Sequence, residues 1–269
     1  MVGRNHVGNT GALAFVYLLR NMARNESQSK NFKIETSESL DKLFYKYTHL
    51  PLGGKEIVCP YWINNLKAGV FGPYGGKGTP REIVEATKSE AEKIGLDLSK
   101  LSKEEILAFM KSKRIGMDCS GFVFWMLDAL DREKGGDGIA NDILSGDRLL
   151  PSRANVATLT NEGAVSAVEL KDVRVGDMIR LDKGKHVAIV MRVVRDLGDM
   201  GEVREVEYAH SSARTKILGV HAEKIKIKDQ TRGLEKQQWN EIAYEGKNYG
   251  ETYCLSLAGD GLKRLKTWV

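Results

Sequence analysis

Cysteine is scarce. The chain has 269 residues and three cysteines, Cys59, Cys119 and Cys254. An odd, sparse set does not make a disulfide framework, so at least one thiol is free, and nothing favours a Cys59–Cys254 bridge. Long apolar runs are also missing. No stretch of about 18 apolar residues occurs, so no transmembrane helix is expected. The short apolar stretch 10–19 follows Arg4 and resembles a signal-peptide core, but no small-residue cleavage site follows it. An ordinary amphipathic helix is the plainer reading, and localisation stays open. Excess charge is modest: the net charge of +5 comes from 41 basic and 36 acidic residues. The two signs are interspersed, which describes a solvated surface. No aromatic pattern accompanies a basic groove, so nucleic acid is not an expected partner. Internal repeats and low-complexity tracts are absent as well. What remains is an ordinary globular composition, 42% hydrophobic and 29% charged, long enough for a substantial core.

The first part of the chain is helical in pattern. Residues 1–36 read as an N-terminal helix and a linker, with the polar stretch 25–33 as the linker. From Ser37, a capped helix start carries Leu40, Leu43 and Phe44 and is broken by Gly53-Gly54. Residues 56–70 read as a helix begun or interrupted at Pro60, and a glycine-rich loop follows over 71–80. Glu and Lys recur at helical spacing over 80–112, with an apolar face that includes Leu96, Leu101 and Ile106. That pattern is a helical insertion. Residues 119–131 are apolar around most of the helical circumference, which makes them a buried central helix. A polar connection over 132–165, with room for one short helix near 141–145, is a second insertion. Strand patterns follow at 177–181, 187–194, 202–209, 216–220, 224–227 and 249–257, with a hairpin turn at 195–201. Helices followed by a meander of strands indicate an α+β domain over 37–269.

Three segments carry chemistry. In Met117-Asp118-Cys119-Ser120-Gly121-Phe122-Val123 a cysteine opens the central helix, where free N–H groups and the helix dipole favour thiolate. Asp118 is placed to cap that helix. Gly121 is expected to leave room for a substrate backbone. Next, Gly176-Asp177-Met178-Ile179 enters a strand, and His186 opens the following strand, a rigid mount for a general base. Finally, Tyr208-Ala209-His210-Ser211-Ser212 ends the next strand. If that hairpin pairs around 195–201, His186 and His210 fall at the same end, and His210 can orient the base.

Together these segments resemble the NlpC/P60 family of cysteine peptidases, over about residues 110–215. D-C-S-G-F-V, G-D-M-I, H-V-A-I-V and A-H-S-S stand in the family's order. The resemblance implies Cys119 as nucleophile, His186 as base and His210 as orienting residue. It implies a papain-like fold, with the helix bearing the nucleophile packed on an antiparallel sheet of about five or six strands. It places a tyrosine near the oxyanion site, Tyr74 in Pro73-Tyr74-Gly75-Gly76, with Tyr61 in Pro60-Tyr61-Trp62 as the rival. Asp118 and Ser120 match positions that help recognise substrate in some relatives. The implied substrate is a peptidoglycan stem peptide or muropeptide, which leans localisation toward the cell envelope. The interval between Cys119 and His186 exceeds that of compact members, as the 132–165 insertion explains. Both insertions are expected to wall the groove. His221 reads as a surface residue, and His6 and His49 lack a supporting motif. A zinc site made by Cys119, His186 and His210 is disfavoured by the lack of a close-spaced ligand pair, and no cofactor is expected. Two other readings remain: another thiol amidase or acyltransferase on this scaffold, and a non-catalytic wall-binding module.

Overall fold

A computed structural model describes residues 32–64, 70–144, 147–198 and 201–268. The helix expected at 10–19 lies outside them. Part of the expected linker is instead a strand, β1 (Phe32–Glu35), which pairs antiparallel with a long central strand at 193–196. Ser37 then caps α1 (Glu38–Thr48), its Oγ accepting the Leu40 N–H at 3.2 Å. Beyond it, β2 (Leu50–Leu52) and β3 (Lys55–Ile57) form a hairpin whose turn uses Gly53 and Gly54 at φ +57° and +74°.

The helix expected over 56–70 is not formed in the described part of that span. After β3 the chain is irregular through residue 64, because amides of this stretch serve other segments. Cys59 N–H donates to Tyr47 O and Trp62 N–H to Met117 O. Proline at position 60 also has no N–H to contribute to a helix.

The two insertion helices follow the sequence closely. α2 (Pro80–Lys93) and α3 (Lys103–Ser112) each begin with a complete capping box, Thr79 with Glu82 and Ser102 with Glu105. The central helix is α4 (Cys119–Glu133), and ten of its fifteen residues are buried, which explains its nearly all-round apolarity. The 132–165 connection contains short 3-10 turns and α5 (Val156–Leu159).

The strands that follow are β4 (Val165–Ala167), β5 (Met178–Leu181), β6 (His186–Asp196), β7 (Val203–Ser212), β8 (Gly219–Lys226) and β9 (Gln238–Trp239). They precede α6 (Tyr249–Tyr253) and β10 (Gly261–Leu265). With β1 they make an eight-stranded antiparallel sheet, ordered β4-β10-β5-β6-β7-β8-β9, with β1 also on β6. The architecture is therefore α+β, with more strands than the five or six expected. Residues 216–220 and 224–227 are not two strands, because β8 spans 219–226 unbroken. Residues 249–257 are not a strand. Asn248 accepts from Gly250 and Glu251 N–H and starts α6 instead.

The sheet separates two apolar cores. On β6, Val187, Ile189 and Met191 pack toward α4, while Ala188, Val190 and Val193 pack into the second core with Tyr208, Trp239 and Tyr249. Two-residue alternation assigns residues 187–191 to opposite faces, and the irregularity between Val190 and Arg192 resets the phase so that Val193 joins the second core. Among the described residues, no helix is long and apolar enough to cross a membrane.

Candidate active site

The site lies where α4 begins against one end of β6, β7 and β8. Cys119 is the first residue of α4, so its N–H has no carbonyl within the helix to meet. The preceding turn is held from three directions. Met117 O accepts from Trp62 N–H at 3.0 Å and from Ser211 Oγ at 2.7 Å, and Asp118 N–H donates to Gly76 O at 3.0 Å. These bonds join the cysteine turn to the 58–62 segment, to the end of β7 and to the glycine-rich loop.

The backbone N–H groups of Val187 and Ser120 lie near the Cys119 sulfur and favour its thiolate. Val187 follows His186 on β6, so the sulfur sits at the start of the strand that carries the expected base. Cys119 is 4% exposed. Burial, reinforced by the Asp118 carboxylate, pushes its thiol up to about 12, against the pull of those two amides and of Lys77. The helix N-terminus is thus outweighed, and the resting sulfur is a thiol rather than the expected thiolate. The other two cysteines are also free and buried.

His186 Nε2 and His210 Nδ1 are 2.8 Å apart; with Ile189 opposite Ala209 the two histidines are diagonal neighbours across β6 and β7. Burial lowers both imidazoles, and His210 further depresses its neighbour. The chain of contacts does not stop there. His210 Nε2 lies 3.1 Å from Glu241 Oε1 and 3.0 Å from His221 Nε2, and His221 Nε2 lies 2.8 Å from the same Glu241 oxygen. Tyr208 hydroxyl donates to Glu241 Oε2. Burial raises the Glu241 carboxyl, but the electrostatic influence of His210 and the polar contacts with His210, His221 and Tyr208 hold it well below the usual carboxylate range. His221 is therefore not a surface residue. The continuous β8 puts it opposite His210, on the same sheet face. The α6 turn brings Tyr249 edge-on to both imidazoles, with ring centroids 6.5 Å from His186 and 5.6 Å from His210.

The two tyrosine candidates separate clearly. The Tyr74 hydroxyl donates to Glu90 on α2 at 3.2 Å, away from the sulfur. Tyr61 bridges to Met117, and its phenol is raised by burial and then by the nearby Cys119 and Asp118. Tyr61, not Tyr74, has Cys119 in its electrostatic neighbourhood. The glycines that follow Tyr74 serve backbone packing: a Cβ on Gly76 would lie 2.4 Å from Trp62 O. Gly121 has the same role, since its Cβ would lie 2.4 Å from Gly76 O, so the space it leaves is taken by the protein's own loop.

Asp118 and Ser120 are inward-facing too. Asp118 Oδ1 caps Gly121 N–H and pairs with Lys77 Nζ, both at 2.7 Å. Lys77 also donates to Ser120 Oγ, which donates in turn to Ala154 O. This buried knot fixes the start of α4 and engages the polar atoms expected to meet substrate. No protein family, curated protein or solved structure matches this chain.

Proposed function

We propose that the chain is a thiol hydrolase of the NlpC/P60 type, on a papain-like scaffold, that cleaves amide bonds in cell-wall stem peptides. The observation that carries this reading is the nearness of the Cys119 sulfur to the Val187 amide, at the strand end that holds the His186–His210 pair. The substrate class rests on the motif resemblance.

The proton arrangement follows from hydrogen-bond roles. Glu241 carboxylate only accepts, so His210 donates to it from Nε2 and accepts at Nδ1. His186 then donates from Nε2 and keeps a bare Nδ1, the atom a general base needs. Because thiol and imidazole are both neutral at rest, proton transfer accompanies attack instead of preceding it. Sulfur bonds to the amide carbonyl carbon as its proton passes to His186 Nδ1. The Cys119 N–H and the Tyr61 hydroxyl stabilise the oxyanion. The protonated His186 gives its proton to the leaving amine, and a thioester remains. Water, deprotonated by His186, attacks that thioester; the carboxylic acid departs and the thiol is restored.

The test uses defined muropeptides with wild type and Cys119→Ala. Release of a free amine by the wild type, lost in the variant and after thiol alkylation, supports the reading. No amine release from any stem peptide, together with transfer of an acyl group from a lipid or ester donor, would replace it by the acyltransferase reading. Muropeptide binding without turnover would replace it by a wall-binding module.

A further inference from the structure

We infer that His210 Nε2, His221 Nε2 and Glu241 Oε1 form a binding site for a divalent cation of the zinc class. These three atoms converge, all within 4.8 Å of one another, on residues that are 0%, 6% and 4% exposed. Two imidazoles and one carboxylate are a borderline donor set that suits zinc and its first-row neighbours.

Hydrogen bonding alone leaves the triangle unsatisfied. In its ring plane an imidazole nitrogen either donates or accepts, and a carboxylate oxygen only accepts. Two protons at most are available for three edges of 2.8, 3.0 and 3.1 Å. One edge therefore always sets like dipoles face to face, inside a buried site where that is costly. A central cation removes the conflict on all three edges. Tetrahedral bonds of about 2.0–2.1 Å hold ligand atoms about 3.3 Å apart, so the cluster opens by only a few tenths of an ångström to accept the ion.

The surroundings are built as outer partners of a metal site are. His221 Nδ1 lies 2.9 Å from Gly219 O, which can only accept, so the ring proton sits there and Nε2 is left bare. Glu241 Oε2 is held by Tyr208, leaving Oε1 free to ligate. His210 Nδ1 is held by His186. A cavity of about 280 Å³, lined by Thr215, Ile217, His221 and Glu241 among others, gives a path of entry and room for a water as fourth ligand.

An ion at His210 Nε2 moves that ring's proton to Nδ1, where it donates to His186 Nε2. His186 then carries its own proton on Nδ1 and cannot take the thiol's. Metal loading thus switches hydrolysis off; this consequence, unlike the site itself, rests on the thiol-hydrolase reading.

The test is metal stoichiometry on the folded full chain, dialysed against zinc and then against buffer. Elemental analysis should find about one equivalent in wild type and in Cys119→Ala, falling at least about fivefold in Glu241→Gln and in His221→Asn. Circular dichroism checks that both variants are folded, and cobalt(II) loading of wild type gives a tetrahedral visible spectrum. Wild type with under about 0.2 equivalents, or folded Glu241→Gln retaining as much zinc as wild type (an adventitious ion only), overturns the site. On an active preparation, zinc should suppress turnover and a chelator restore it. Full activity at one bound equivalent overturns the switch and leaves the site standing.

Discussion

Cys119 keeps its proton because desolvation and the Asp118 carboxylate together exceed what two backbone amides and the Lys77 charge return. The thiolate is the reactive form, and below a thiol's pKa its population rises tenfold per pH unit. With a thiol pushed up to about 12, the rate of iodoacetamide alkylation of Cys119 should climb about tenfold per unit between pH 6 and 9 without levelling. A plateau in that interval would mean a standing thiolate–imidazolium pair and would overturn the concerted mechanism. The tyrosines give a second residue-scale test. Tyr61→Phe should lower kcat by roughly 10²-fold, the usual cost of one oxyanion donor, whereas Tyr74→Phe should stay within about twofold. The reverse ranking would restore Tyr74. Sequence pointed to Cys119, His186 and His210 because each stands in a short motif. It missed Glu241, which lies in an irregular stretch with no periodicity, and Lys77, whose role depends on a loop folding back on Asp118. His221 was missed because splitting β8 in two left it in an apparent gap.

At the scale of elements, the start of α4 depends on a buried ion pair with side chains 9% and 4% exposed, Lys77 and Asp118. Removing one partner strands the other charge, which typically costs about 3–5 kcal/mol. Lys77→Met should therefore lower the urea-unfolding free energy by about that amount; a loss below about 1 kcal/mol would show that Asp118 finds water or another partner. The helices were legible where local signals suffice: capping boxes at Thr79 and Ser102, a serine cap at Ser37, and an all-round apolar α4. They failed where tertiary pairing overrides the local pattern. The 58–62 backbone bonds to Tyr47 and Met117 rather than to itself, and Asn248 turns an apparent strand into α6. Such partners are remote in sequence, and no window along the chain displays them.

At the scale of the whole molecule, one sheet with apolar cores on both faces explains why strand residues 187–191 are all buried instead of alternating in and out. β1 covers the distal half of β6, opposite the site end. Removing residues 1–36 should bare that edge, lower the thermal midpoint and bring on aggregation earlier in a light-scattering ramp. An unchanged midpoint would show that β1 adds nothing to the sheet. The fold class was readable from element order alone. The eight-strand count was not, since β4, β9 and β10 have three, two and five residues and depend on their neighbours for definition.

The two hydrogen bonds accepted by Met117 O link positions 62, 117 and 211 in one knot. Synthesis runs from the N-terminus, so Cys119 leaves the ribosome long before His186, and Glu241 and Tyr249 come later still. Contacts of such wide separation carry a high loop-closure cost and form late in folding. The nascent chain therefore holds an isolated cysteine with no acid–base partner, and under the proposed chemistry it stays inert toward its own synthetic surroundings until the last strands close. Timing of assembly would then itself be a safeguard.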